Sequence, residues 1–135
     1  MKRKHEESKI QVSIVRYFRQ HFEGRIASIP NGGWRDPLEA IRLKEEGVEA
    51  GHPDLVIYGL GGRIFLIEVK EPSLRNRKNG GLSDSQMKFI PDLRRLGFIV
   101  CVVYSLEDAI RLFESWELAP KELRIRTEKE KQTWL

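Results

Sequence analysis

Two acids and an amine, Asp54, Glu68 and Lys70, stand at the ends of two β-rich runs, Asp54-Leu-Val-Ile-Tyr58 and Arg63-Ile-Phe-Leu-Ile-Glu-Val-Lys70. Between the runs, Gly59-Leu-Gly-Gly62 supplies the residues of positive φ that a tight reversal needs, so the pair reads as a hairpin. Centring the turn on Gly61 opposes Tyr58 to Ile64, Val56 to Leu66 and Asp54 to Glu68. Opposed residues have Cβ atoms ~4.5–5.5 Å apart. Strand alternation puts Lys70 on the same face as Glu68. Two facing carboxylates repel, and a divalent cation with oxygen ligands offsets that repulsion. Such a cation beside a fixed ammonium suits polarisation of a phosphate ester and activation of water. The competing reading is a structural acid–amine cluster at a sheet edge. It is the weaker one, because an apolar hairpin seldom ends in two facing acids without compensation.

The elements that must hold this trio follow from periodicity. Ile10, Ile14, Val15, Phe18 and Phe22 form a helical stripe over 6–22, stopped near Gly24. Arg25 to Pro30 reads as a short strand closed by Asn31-Gly32-Gly33. Asp36 as N-cap and Pro37 at the first helical position predict a second helix through Leu38, Ile41 and Leu43, ending near Gly47. After the hairpin, Leu74 to Gly81 reads as a basic loop. Ser83 then opens a helix carrying Met87, Phe89, Ile90, Leu93 and Leu96, which Pro91 should kink or split. The continuous apolar run Phe98 to Tyr104 predicts a strand buried on both faces, with a helix over 106–116 beside it. This order implies an α/β fold, a mixed sheet flanked by helices. Residues 1–118 form one domain, and 119–135 a charged tail.

Composition narrows the function classes. The chain has 135 residues, enough for one domain with a real core, and its 33% charged residues sit beside 40% hydrophobic ones. Net charge is +4, which permits a polyanionic partner without demanding one. The longest apolar run is too short to cross a bilayer, and the basic start has no apolar stretch behind it. One cysteine, Cys101, excludes an intramolecular disulfide and a cysteine-built metal site. A cytoplasmic domain with no membrane partner and no small-molecule cofactor is expected.

More of the chain then agrees with a known pattern. Gly51-His-Pro53-Asp54-Leu followed by Ile67-Glu68-Val69-Lys70 resembles the Pro-Asp…Glu-x-Lys signature of the restriction-endonuclease-like superfamily. Glu7-Ser-Lys-Ile10-Gln11, Asn31-Gly32, Leu43-Lys-Glu-Glu-Gly47 and Leu82-Ser83-Asp-Ser-Gln86, in the same order, resemble its virus-type replication-repair nuclease family, VRR-NUC. The resemblance covers about residues 5 to 112. It implies a restriction-endonuclease-like core and an endonuclease using Mg²⁺ or Mn²⁺. Stand-alone members are small, often phage-encoded, and resemble structure-specific enzymes acting on branched DNA such as four-way Holliday junctions. Two symmetric incisions in a junction imply a C2 homodimer.

Carried over residue by residue, the resemblance makes Asp54 and Glu68 metal ligands, with the Val69 carbonyl as a further ligand and Lys70 orienting water. Glu7 matches an acid on the first helix, which the resemblance places at the metal, and shares a helical face with Gln11, Ile14 and Phe18, whereas Glu6 fits the register less well. Gln86 matches a glutamine lining the site, and it equally completes a capping box with Ser83. Arg75, Arg77 and Lys78 follow the catalytic strand and are expected at phosphates, with Asn31, Gly33 and Arg35 as weaker candidates. Trp34 serves base stacking or core packing. His52 is not expected to bind metal, and Cys101 is expected in the core. The alternatives are a catalytically idle DNA-binding module of the same fold and a general DNA or RNA nuclease.

Overall fold

In the computed structural model, which describes residues 2–30 and 35–121, the chain runs α1 (Lys2–His21), β1 (Arg25–Ser28), α2 (Pro37–Glu45), β2 (Leu55–Tyr58), β3 (Ile64–Val69), α3 (Asp84–Arg95), β4 (Ile99–Val103) and α4 (Leu106–Ser115). The described strands form a sheet in the order β1-β2-β3-β4. β1, β2 and β3 are antiparallel neighbours, and β4 joins β3 in parallel after the α3 crossover. The hairpin has the register set by its glycines: Tyr58 opposes Ile64 and Leu55 opposes Ile67. Gly61 and Gly62 both take positive φ there. The ladder ends one step short of Asp54 and Glu68, which lie where it opens.

Alternation sorts the sheet's side chains between two layers. Leu55, Ile57, Phe65, Ile67 and Val69 meet Ile14 and Phe18 of α1 and Phe113 of α4. Val56, Leu66 and Val100 meet Ile90 of α3 on the opposite face. The fold is thus an α/β sandwich with α1 and α4 on one face and α3 on the other. Phe18 and Phe113 meet edge to face, with centroids 5.8 Å apart, and the geometry fixes α1 against α4.

Three expectations need correction. Pro91 lies inside α3 without splitting it. β4 is an edge strand and is not buried on both faces: Val100 and Val103 are buried, but Ile99 is 43% exposed. A helix begins at Lys2 rather than Glu6. Ala119 to Lys121, assigned to the tail from the sequence, are stitched to α1 and its exit through Glu23 N–H to Ala119 O and Lys121 N–H to His21 O. Asn31, Gly33, Trp34 and residues 122–135 lie outside the described residues.

Candidate active site

The site forms at the open end of the hairpin, where the carboxyl end of β3 meets the approach to β2. Pro53 is buried directly before Asp54. The Val69 N–H donates to Asp54 Oδ2 at 2.8 Å, which clamps this carboxylate against the end of β3. Glu68 is the buried charged residue of the core, 2% exposed. Lys70 Nζ stands 3.7 Å from Glu68 Oε2. Its own N–H bonds Val103 O at 2.9 Å, so β4 braces the strand end.

Gln86 caps α3 and also contacts Glu68. Its Oε1 accepts from Ser83 N–H at 2.9 Å, and its N–H donates to Ser83 Oγ at 3.2 Å, a complete capping box. With Oε1 committed, Nε2 is left to donate, and it reaches Glu68 Oε2 at 2.7 Å. One amide therefore caps α3 and orients the buried carboxylate. Gly51 makes this approach possible. It has φ +91°, and a Cβ there would stand 2.4 Å from Ser85 O and 2.9 Å from Gln86 N. The sequence marks Gly51 only as part of a motif. Its work is to let the Gly51–Asp54 segment lie against the first turn of α3.

α1 reaches the same point from the other face. Glu7, rather than the exposed Glu6, turns inward. Its carboxyl lies in the fields of Lys70, the Glu71 backbone N–H and Asp54. His52 bonds Pro53 O at 2.7 Å and packs beside Phe89.

The electrostatics follow from crowding acids in a dry place. Burial and the Asp54 charge push Glu68 up to about 8, although Lys70 pulls it down. Burial raises Asp54 as well, against the Val69 N–H and Lys70. Burial raises Glu7, again opposed by Lys70. Glu68 Oε1 is buried without a hydrogen-bond partner, a state that costs ~1–3 kcal/mol unless something meets it. Hard oxygen donors, mutual repulsion and an orphaned oxygen together fit a divalent cation of the Mg²⁺ class. Asp54, Glu68 and the Val69 carbonyl are the groups that would hold it. Among the described residues no three acidic, histidine or cysteine side chains make a complete cage, so water or a phosphate oxygen would fill the remaining positions.

The VRR-NUC domain model matches residues 3–107. The chain belongs to the VRR-NUC family. A solved structure described as a "VRR_NUC domain protein" is similar at 25% identity and TM-score 0.64, over 84% of this chain and 90% of that one. Another, a "VRR_NUC domain", shares the fold at 23% identity and TM-score 0.59, over 82% of this chain and 97% of that one. No curated protein matched. VRR-NUC membership implies a nuclease-type fold and nuclease activity in general.

The basic loop divides. Arg77 and Lys78 are exposed on it. Arg75 instead bonds Asp108 Oδ2 at 2.5 Å and lies over the Tyr104 ring at 5.0 Å, tying the loop to the start of α4. Burial alone would raise Asp108, but the Tyr104 N–H, Arg75 and Arg111 hold it below the usual carboxylate range. A carboxylate lowered by folding stabilises above its unfolded value of ~3.9 and loses that contribution as pH falls through the folded value. Arg75→Ala should therefore cost about 1 kcal/mol and start acid unfolding at higher pH, read by thermal melts across pH. Arg77→Ala with Lys78→Ala should leave stability unchanged. Arg35 is half-buried and lines a groove between α2 and α3, among Leu43, Phe89 and Leu93, rather than the carboxylate site.

Proposed function

We propose that this VRR-NUC chain is a divalent-metal-dependent endonuclease that hydrolyses phosphodiester bonds in DNA. We also propose that it is selective for branched DNA such as Holliday junctions, and that it acts as a homodimer on intracellular DNA. The observation that carries the reading is the Asp54–Glu68 pair with its orphaned oxygen beside Lys70. A bound Mg²⁺ or Mn²⁺ would supply Lewis acidity toward the phosphate and lower the pKa of a water. Asp54, Glu68 and the Val69 carbonyl would hold the ion. Gln86 prevents Glu68 from rotating away. The Lys70 ammonium orients the attacking water and steadies charge that develops on the phosphoryl oxygens. Glu7 faces the same space and would be a further oxygen donor toward the ion.

A junction has two-fold symmetry, and paired incisions need two sites related by the same axis. The test is a cleavage panel of junction, flap, nicked and linear DNA, with Mg²⁺, with Mn²⁺ and with chelator. Symmetric cuts in the junction, lost with chelator, are the expected result. Cleavage of every substrate at one rate overturns the branch preference. Metal-independent cutting overturns the metal assignment. Binding without cutting under all conditions leaves an idle DNA-binding module.

A further inference from the structure

We infer that the groove between α1 and β1 is a track for a nucleic-acid backbone, along which Arg16 and Arg19 hold phosphates of the strand being cut; the inference builds on the nuclease reading above. The groove encloses about 790 Å³, with Glu7 and Asp54 at one end and Arg16 and Arg19 along α1 toward the other. Val12 and Val15 line the helix side, and Ile26 and Ser28 the strand side. The groove therefore starts at the candidate site and runs from acid to base. This is the polarity required when a phosphate at the acidic end sits on a cation and its neighbours need fixed positive charge.

Arg16 and Arg19 are one turn apart and share a helix face. Arg19 Nη2 leans across to Ile26 O at 3.5 Å, which places its guanidinium over the groove. Among the described residues no carboxylate lies within ion-pair distance of either guanidinium. No described lining residue is aromatic, so bases have nothing to stack on, and the groove suits sugar-phosphate rather than unpaired bases. At 1.5 Å per residue, Arg16 and Arg19 lie ~13.5 and ~18 Å along the helix from Glu7. The phosphates they meet therefore lie beyond the one at the candidate site, on one side of the cut.

The test compares the wild-type chain with Arg16→Ala/Arg19→Ala and Arg16→Lys/Arg19→Lys. Binding to a labelled four-way junction is measured in chelator at several salt concentrations. Phosphate-ethylation interference is read on the same junction. The alanine pair should reduce the log–log salt slope by about 1.8, two duplex phosphates at ~0.9 each. It should also abolish interference at the phosphates just to one side of the cut, while the lysine pair keeps both signals. An unchanged slope, or a lysine pair as weak as the alanine pair, overturns the track. If the alanine pair does not fold, Ser28→Asp decides: a negative charge in the groove should weaken binding at low salt, and unchanged binding overturns the proposal. The two readings fail separately. Normal cleavage with an unchanged slope removes only the track, and a reduced slope in a chain that cuts nothing with any divalent ion removes only the nuclease.

Discussion

Glu68→Gln will abolish cleavage and, at the same time, make the metal-free protein more stable. The first effect follows from losing a ligand charge where a cation must be held: a Lewis-acid contribution of several kcal/mol corresponds to about 10³-fold or more in rate. The second follows from Glu68 being buried beside Asp54 and pushed up to about 8. An unfolded glutamate titrates near ~4.3, so between that value and about 8 the folded chain binds the extra proton. Stability of the metal-free wild type therefore falls as pH rises through this window. Glutamine has no proton to retain, and its carbonyl can still accept from Gln86 Nε2. The variant should match wild type near pH 5 and exceed it by a growing margin toward pH 8, up to a few kcal/mol. Adding Mg²⁺ or Mn²⁺ should raise the melting temperature of wild type and leave the variant unmoved. Thermal melts across pH, with and without metal, check both halves. A variant that still responds to metal would remove Glu68 from the ligand set.

Lys70→Met should lower single-turnover cleavage by about 10²–10³-fold at saturating metal, the size expected when a fixed positive group at a developing negative charge is lost. Methionine keeps the stem that Lys70 packs, and the backbone bond to Val103 O is untouched. Lys70 also lowers Glu7, Asp54 and Glu68. Without it all three carboxyls hold their protons to higher pH, so the acidic limb of the pH–rate profile should move upward. A purely structural lysine would cost stability and leave that limb in place. A profile of unchanged shape and height would end the assignment.

The hairpin was open to reading from sequence because its information is local. Gly61 sets the turn, alternation sets the faces, and the opposition of Asp54 to Glu68 follows by counting. Gln86 was legible in both roles for the same reason, since a capping box spans one turn. Glu7 needed the helical stripe as well, because only the burial of Ile14 and Phe18 says which face turns inward. Long-range contacts escaped this logic. Arg75 looks like Arg77 and Lys78 in any charge count, and only Asp108 and Tyr104, brought in by the fold, set it apart. β4 reads as a central strand because its residues are apolar, yet no described strand lies beyond it. Nothing in the helical stripe marks Arg16 and Arg19, and it is β1 that supplies the other wall of their groove.

The docking of α1 on α4 through Phe18 and Phe113 also orders events in time. Glu7 precedes Phe113 by 106 residues and leaves the ribosome well before it. Its helix has no complete seat until α4 has emerged, and contacts so distant along the chain form slowly. Asp54, Glu68 and Gln86 can gather earlier, around the hairpin and the α3 crossover. A nascent chain thus carries two carboxylates and a lysine without the acid that closes the site from the far face. Full assembly of the centre waits on the synthesis of α4, and a product truncated before α4 is left without its first helix in place.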